Sequence, residues 1–336
     1  MLSFVIAGSG NRAQHYGRIV QTWPEQFRAV FLCRSAEKAA QMKRETGLDS
    51  VLTAEDAEAF GPDFIVVAVD KGHIADVAEE WALRGYPVLT ETPLADTEEK
   101  LERIQALAEN GARIVCCEQY HRYPLLAAGL AAVREGLIGT PRSAYISAMH
   151  DYHAASIIRR ALMAENESYT MRGARIEGTA AETDSRGGAV LDGRTGNEAR
   201  DQVLTVFASG KSALYDFASI QYRSYIRTRH ITVRGDRGEW NDTTVYSLDD
   251  HNRPYRRMLT PEIPERYRCL DNQDLRDLRR SWRPELALDN LQDEFAVATM
   301  LLDMGEYLAG GDAPYPLQEA AGDVRFWLKL RETVGI

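Results

Sequence analysis

The chain has 336 residues, of which 44% are hydrophobic and 27% charged, which suits a globular protein long enough for two domains. A net charge of −10 argues against a nucleic-acid partner, and the lack of an apolar run of roughly 20 residues argues against a membrane protein. With no signal-peptide pattern and four cysteines that lack zinc-site spacing, we expect a cytoplasmic protein without a metal site.

Strand and helix signals alternate through the first 120 residues. The apolar runs that predict strands are Phe4–Ala7, Ala29–Cys33, Phe64–Val69, Pro87–Thr90 and Arg113–Glu118. The stretches between them that predict helices are Arg12–Thr22, Ala36–Thr46, His73–Arg84 and Thr97–Asn110. This alternation predicts an α/β domain over residues 1–122, with a doubly wound parallel sheet of the Rossmann type. Such sheets bind ligands at the carboxyl ends of their strands.

The first strand end carries a glycine turn that is typical of dinucleotide-binding sites. Gly8 permits a tight turn, and Gly10 has no Cβ, so a pyrophosphate can approach the backbone there. Asn11 and Arg12 follow at the start of a predicted helix, whose free N–H groups and positive dipole end favour phosphate. Ala13 replaces the third glycine of the fingerprint, which is a permitted variant. These residues predict a nucleotide phosphate site.

The second strand end indicates which cofactor would bind. Arg34 and Ser35 stand where an acidic residue would hold the ribose hydroxyls of NAD, and Lys38 lies one turn into the next helix. A guanidinium and a hydroxyl suit a 2′-phosphate, so we expect NADP or NAD, with NADP favoured. The alternative is a solvated helix start in which Ser35 is the N-cap.

The remaining strand ends supply further candidate cofactor contacts: Val69, His73, Glu91, Thr92, Pro93 and Gln119. Lys71 is the one lysine expected near a reacting centre, although a surface charge would explain it equally well.

The pattern changes after residue 122 and predicts a second domain over 123–336. Helices are predicted at Leu125–Glu135, Ala154–Leu162, Asn290–Leu308 and Leu317–Val334, and a strand at Arg142–Met149. Residues 202–248 read as successive strands with a hairpin turn at Gly210, which predicts a largely antiparallel open sheet and an α+β domain. We expect residues 163–200 to be partly a mobile loop and residues 251–285 to be largely irregular.

Several residue groups together resemble the glucose–fructose oxidoreductase, inositol dehydrogenase and rhizopine-catabolism (Gfo/Idh/MocA) family. The resemblance covers nearly the whole chain. The groups that carry it are 8–12, 32–39, 85–94, 136–139, 207–217 and 231–239. It implies NAD(P)-dependent redox chemistry on sugars, cyclitols or their derivatives. It also implies a cis bond before Pro93 and homo-oligomer contacts, in a dimer or tetramer, on the open face of the second sheet.

The resemblance also implies catalytic residues. His153 aligns with the catalytic histidine of the family, and an imidazole ionises at the pH needed to take a proton from a hydroxyl. His150 lies beside it, and Tyr120 would relay a proton or orient a group. The family lysine before the proline is Thr92 in this chain, so Lys71 would serve if a lysine is needed. The alternative for each histidine is a capping or structural role.

These observations predict an oxidoreductase that transfers hydride between nicotinamide and a hydroxyl or keto carbon of a sugar, glycoside or cyclitol. Loss of the lysine leaves a catalytically silent nucleotide-binding regulator as an alternative. Redox-assisted glycoside cleavage is another, because the resembling family includes such enzymes.

Overall fold

The computed structural model describes residues 1–185, 188–260, 262–271 and 290–336. They form two compact units. The first contains residues 1–123 together with 263–271 and 290–324, and the second contains the described parts of 124–262 together with 325–336.

The first unit is built on a six-stranded parallel sheet. Its strands are β1 (Leu2–Ala7), β2 (Phe27–Leu32), β3 (Ser50–Val51), β4 (Phe64–Val67), β5 (Val88–Thr90) and β6 (Ile114–Cys116), in the order β3-β2-β1-β4-β5-β6. Its helices are α1 (Asn11–Thr22), α2 (Ala36–Thr46), α3 (Ala54–Ala59), α4 (Ile74–Leu83) and α5 (Glu98–Glu109). The predicted doubly wound sheet is confirmed. The short pair β3 and α3 was not predicted, because two strand residues carry too little periodicity to detect.

Local sequence explains where these helices begin and end. Ser35, Thr53 and Thr97 cap α2, α3 and α5 by accepting a hydrogen bond from the backbone N–H three residues later. Gly47 ends α2 in the left-handed region at φ 68°. Phe4, Val5 and Ile6 are fully buried, as expected for a strand with helices on both faces.

Helix α8 (Asn290–Leu308) completes the described part of this unit, with a 3-10 helix at Glu265–Leu270 and the start of α9 (Leu317–Val334). Both helices have the bounds predicted from the sequence. Within the described part of the chain, no helix combines the length and apolar character needed to cross a bilayer.

The second unit contains an eight-stranded sheet in which only β7 and β12 pair in parallel. In sheet order, its strands are β16 (Pro254–Met258), β15 (Thr244–Leu248), β14 (Gly238–Asn241), β13 (His230–Gly235), β7 (Pro141–Ser147), β12 (Ser212–Ala218), β11 (Thr195–Phe207) and β8 (Tyr169–Ala181). A two-stranded sheet pairs β9 (Asp184–Ser185) with β10 (Gly188–Ala189). The predicted α+β class and largely antiparallel sheet are confirmed.

Helices α6 (Pro124–Arg134) and α7 (Asp151–Ala161) pack against this sheet. Gly129 of α6 lies against the buried indole of Trp240 on β14, where an added Cβ would come within 2.1 Å of the ring. Gly129 therefore allows the helix to approach the sheet closely.

Residues 163–200, expected to be partly a mobile loop, contain more strand than the sequence indicated. Half of this segment forms β8 and the start of β11, which pair antiparallel along the whole of β8. Hydrophobic alternation is weak in β8 because most of its residues are exposed, so backbone pairing rather than a buried face holds it. The irregular segment expected at 251–285 contains β16, and its residues 272–285 lie outside the described residues.

Candidate active site

The glycine turn after β1 fits a phosphate. Gly8 has φ 144°, and a Cβ there would lie 2.2 Å from the carbonyl oxygen of Ala68, so only glycine is accommodated. A Cβ on Gly10 would meet nothing within 4 Å, which leaves open space at the helix start. Helix α1 has no side-chain cap and no acidic residue in its first turn. Its first N–H groups thus form an uncapped positive end that suits an anionic group.

Arg12, predicted from its position to contact the cofactor, is bound to carboxylates of the protein. Its Nε donates to Glu91 Oε1 at 2.8 Å, and its Nη1 donates to Asp293 Oδ2. Glu91 Oε1 also accepts a hydrogen bond of 2.5 Å from the buried Tyr16 hydroxyl. The structure therefore brings together two predicted site residues, Arg12 and Glu91, as an ion pair between the ends of β1 and β5.

Asp293 is the functional-site candidate that sequence reasoning missed. It lies on α8, and its Oδ1 accepts a hydrogen bond of 2.7 Å from Nε2 of Gln119, a residue only 2% exposed. His15 Nε2 lies 3.1 Å from the other carboxylate oxygen. One carboxylate thus contacts residues that follow β1 and β6. A lone aspartate near the start of a distant helix gave no signal of this role.

The charges of this cluster shift the ionisation of its members. Burial acts to raise the pKa of Asp293, but the charge of Arg12, together with the hydrogen bonds from Gln119 and Arg12, outweighs it and holds the pKa well below the usual range. Burial lowers the pKa of His15 to about 3, and the Arg12 charge adds to this effect. Arg18 Nη2 lies 3.0 Å from His15 Nδ1, and because arginine only donates, this ring nitrogen is the acceptor of a neutral imidazole.

Arg34, Ser35 and Lys38 come together at the start of α2, and all three are exposed. The Ser35 hydroxyl accepts a hydrogen bond of 3.2 Å from the backbone N–H of Lys38, so the expected N-cap role is confirmed. That hydroxyl still has its own proton to donate. Within the described residues Arg34 forms no ion pair, while Lys38 Nζ donates to Gln41 at 3.0 Å.

Two of the residues predicted after β4 lie on a 3-10 helix, Lys71–His73. Lys71 and His73 are both exposed, and the third predicted residue, Val69, is half-buried just before this helix. Lys100, which the sequence did not single out, donates a hydrogen bond of 2.5 Å to the carbonyl oxygen of Gly72 and lies 3.0 Å from Asp96. The turn is therefore fixed by a lysine from α5.

The bond between Thr92 and Pro93 is cis, as the resemblance implied. Thr92 is half-buried and follows the buried Glu91, whose Oε2 accepts its backbone N–H at 3.4 Å. Tyr120 is 9% exposed and stacks on Tyr123 with ring centroids 4.6 Å apart.

The two candidate histidines lie in the second unit, at the junction between β7 and α7. His150 is the N-cap residue of α7, and His153 lies in its first turn and is 6% exposed. The Tyr222 hydroxyl accepts a hydrogen bond of 3.1 Å from the backbone N–H of His150, and the two rings meet edge to face at 4.6 Å. Tyr152 contacts His153 at 4.4 Å between centroids.

These histidines lie near aromatic rings and one half-buried acid. Phe217 lies 5.1 Å from His150, and Trp327 lies 6.2 Å from Tyr152, between ring centroids. The carboxylate of Asp151 accepts a hydrogen bond of 2.7 Å from the Trp327 indole. Among the described residues, no group of three or more His, Cys, Asp or Glu side chains is arranged to hold a metal ion.

Residues 2–119 match the model of the family described as "Oxidoreductase family, NAD-binding Rossmann fold". This segment is similar to the Gfo/Idh/MocA oxidoreductase family. The glycine turn, the Arg12–Glu91 pair and Gln119 all lie within the matched Gfo/Idh/MocA segment.

Solved structures of oxidoreductases share the fold over nearly the whole chain. Levoglucosan dehydrogenase is 15% identical with a TM-score of 0.72, and 99% of this chain and 96% of that chain are covered. An Agrobacterium radiobacter oxidoreductase in complex with NAD+, L-tartaric acid and magnesium is 14% identical, with a TM-score of 0.71 and coverage of 99% and 96%. Biliverdin reductase from Synechocystis, in complex with biliverdin and NADP+, is 15% identical, with a TM-score of 0.66 and coverage of 100% and 99%. A search of curated proteins by sequence found no match.

Proposed function

We propose that the protein is an NAD(P)-dependent oxidoreductase that interconverts a hydroxyl and a keto group on a sugar, glycoside or cyclitol. The observation that carries this proposal is the uncapped start of α1 behind Gly8 and Gly10, within a segment of the NAD-binding family. Levoglucosan dehydrogenase and the other similar folds support the redox class. The biliverdin reductase fold shows why fold alone does not select a sugar.

The residues of the first unit fit a dinucleotide. Gly8, Gly10 and Asn11 would hold the pyrophosphate at the α1 N-terminus, and Arg34 with Ser35 would hold a ribose 2′-phosphate. When bound, the nicotinamide supplies the acceptor or donor of hydride. Arg12 and Glu91 neutralise one another, so they would shape the loop beside the cofactor rather than add charge to it.

In the second unit we propose His153 as the base that takes the hydroxyl proton as the carbon loses hydride. Its position in the first turn of α7, against Tyr152, holds the imidazole in one orientation. His150 and Tyr120 are proposed to orient the substrate or relay the proton.

Two arginines of the second unit are already paired with carboxylates of the protein. Arg200 and Arg227 form bidentate pairs with Asp216 and Glu198, with N–O distances of 2.5 to 2.7 Å. Their charges are therefore compensated within the protein. This favours a neutral substrate such as a sugar or cyclitol.

One observation favours a second candidate function. Thr92 stands where the resembling family carries lysine, and a threonine hydroxyl does not act as a base near neutral pH. A nucleotide-binding regulator without hydride transfer is the function this loss would leave.

A cofactor titration followed by a substrate screen tests both candidates. We expect NADPH or NADH to bind, and the bound cofactor to be oxidised or reduced by one member of a panel of sugars and cyclitols. His153→Ala should abolish turnover without changing cofactor affinity, while His251→Ala, at an exposed position, should match the wild type. Cofactor binding without turnover across the panel would instead support the regulator, and absence of binding to either coenzyme would refute both.

A further inference from the structure

Strand β8 is an open edge of the eight-stranded sheet, because in the described chain it pairs only with β11. The hydrogen bonds at the two ends of β8 show which residues direct their N–H and C=O groups toward β11 and which direct them outward. Ser168 accepts a hydrogen bond from Ala208, and Glu182 donates one to Arg194, so even-numbered residues direct their peptide groups toward β11. Odd-numbered residues from 171 to 181 therefore direct their N–H and C=O groups outward.

These outward groups are available for pairing. No turn or loop hydrogen bond within the described residues involves the backbone of residues 171–179. β8 is 13 residues long, contains no proline, and is exposed along most of its length. Proteins usually protect such an edge by shortening it, covering it or inserting proline. Within the described residues β8 is neither short nor covered and has no proline, and its charged residues Arg175 and Glu177 are of opposite sign, so the edge can serve as a template for a strand of complementary charge.

We propose that β8 pairs antiparallel with β8 of a second copy of the chain, about a two-fold axis that passes beside Ile176. The two sheets would then form one continuous sheet, in which each copy offers the same surface to the other. This interface differs from the open sheet face that the family resemblance implies, and it does not depend on the proposed redox function.

The charges of β8 favour an axis beside Ile176 over an axis beside either adjacent residue. Directly opposed residues of an antiparallel pair lie on the same face of the sheet, so a two-fold axis must pass beside one residue of the strand. An axis at Arg175 or at Glu177 would bring identical charges face to face, which is destabilising. An axis at Ile176 places Arg175 opposite the partner's Glu177, and this ion pair occurs twice by symmetry.

Three side chains of β8 have the orientation or exposure that this pairing requires. Arg175 uses Nε and Nη2 to bind Asp201 at 2.7 and 2.8 Å, which holds the guanidinium in place and leaves Nη1 for another acceptor. Glu177 is exposed and makes no ion pair with any described residue. Ile176 is 49% exposed on the opposite face of the strand, where its copy would cover it.

Disulfide trapping tests the register. Even-numbered residues would form the non-hydrogen-bonded pairs, with Cα atoms about 4.5 Å apart, which is within reach of a disulfide. In a Cys269→Ser background, Ile176→Cys should give a covalent dimer on mild oxidation. Ala174→Cys and Gly178→Cys are matched controls, because in this register each faces the other: neither alone should cross-link, but their mixture should.

The proposal fails if Ile176→Cys gives no more covalent dimer than the two single controls, or if Ala174→Cys alone cross-links as well as Ile176→Cys. Sedimentation velocity gives a second readout without cysteines. Glu177→Lys places like charges opposite Arg175 and should weaken self-association about tenfold. Glu55→Lys, an equal charge change at an exposed site of the first unit, should not. A monomeric wild type, or a Glu177→Lys variant that associates like the wild type, would also overturn the proposal.

Discussion

The amide of Gln119 donates a hydrogen bond of 2.7 Å to the carboxylate of Asp293, 174 positions further along the chain. The same carboxylate binds Arg12, so a single acid on α8 links the residues that follow β1 and β6. Because these strand ends form the expected cofactor edge of the sheet, Asp293 holds that edge in shape without being part of the family-matched segment.

Replacing Asp293 with asparagine should destabilise the protein. The variant would retain an oxygen for Gln119 but would remove one of the two carboxylate charges that pair with the half-buried Arg12 guanidinium. Because both side chains are partly exposed, we expect a loss of about 1 to 3 kcal/mol, less than for a fully buried pair. Urea unfolding measures this loss, and Asp49→Asn, which breaks the exposed Lys43–Asp49 pair, should cost under about 1 kcal/mol. Equal losses in the two variants would contradict the role of Asp293.

His15 should make the protein sensitive to mild acid. Its pKa is lowered to about 3 in the folded protein, whereas an unfolded histidine titrates near 6.5. As the pH falls from about 6.5 toward 3, the unfolded chain binds a proton that the folded one does not, and stability falls by at most about 1.4 kcal/mol per pH unit.

His15→Gln removes this dependence. The variant will be less stable than the wild type near pH 7.5, because its contacts with Asp293 and Arg18 change, but the gap should narrow toward pH 5. Urea unfolding at both pH values measures the gap. His251→Gln, at an exposed site, is the control and should keep a constant difference from the wild type. A gap that does not narrow for His15→Gln would show that His15 is not held neutral.

The features that could be predicted from the sequence are those set by residues close together in the chain. The parallel sheet, Ser35 as a cap and the cis bond at Pro93 follow from local patterns or from motifs a few residues long. The contact of Asp293 with Arg12 joins residues 281 positions apart, and no periodicity in one sequence reports such a distance. Strand β8 escaped prediction for the opposite reason: pairing with β11 stabilises it, and its exposed side chains follow no apolar alternation.

Arg34 should decide the coenzyme preference. If its guanidinium binds a 2′-phosphate, Arg34→Ala should weaken NADPH binding about tenfold or more and leave NADH binding within about twofold. Fluorescence titration with both coenzymes gives the two affinities. Arg44→Ala, at an exposed arginine near the end of α2, is the control and should change neither. An equal loss of affinity for NADPH and NADH would mean that Arg34 does not bind the 2′-phosphate.

The open face of the second sheet should carry contacts between copies, as the family resemblance implies. Leu204 and Leu214 oppose each other on β11 and β12 and are 46% and 38% exposed. Leu214→Lys should therefore lower the assembly state seen by sedimentation velocity, whereas Leu83→Lys, at a 70% exposed site on α4, should not. An unchanged assembly state in Leu214→Lys would exclude this face as an interface.

The two glycines after β1 should respond differently to alanine. At Gly8 a Cβ meets the Ala68 carbonyl oxygen at 2.2 Å and the backbone has φ 144°, so Gly8→Ala should lose roughly 2 to 4 kcal/mol of stability. At Gly10 the backbone has φ −89° and a Cβ meets nothing within 4 Å, so Gly10→Ala should change stability by less than about 1 kcal/mol.

Gly10→Ala, which should remain stable, should nevertheless lose cofactor affinity. The space in front of Gly10 is what a pyrophosphate would occupy, so Gly10→Ala should weaken NADPH and NADH binding by about tenfold or more while the protein remains folded. Urea unfolding and fluorescence titration of one preparation give both quantities. Gly61→Ala is the control: a Cβ there also meets nothing within 4 Å, but the backbone has φ 70°, so this variant should lose some stability and still keep full affinity. If Gly10→Ala binds both coenzymes as the wild type does, the open space at the start of α1 does not hold the pyrophosphate.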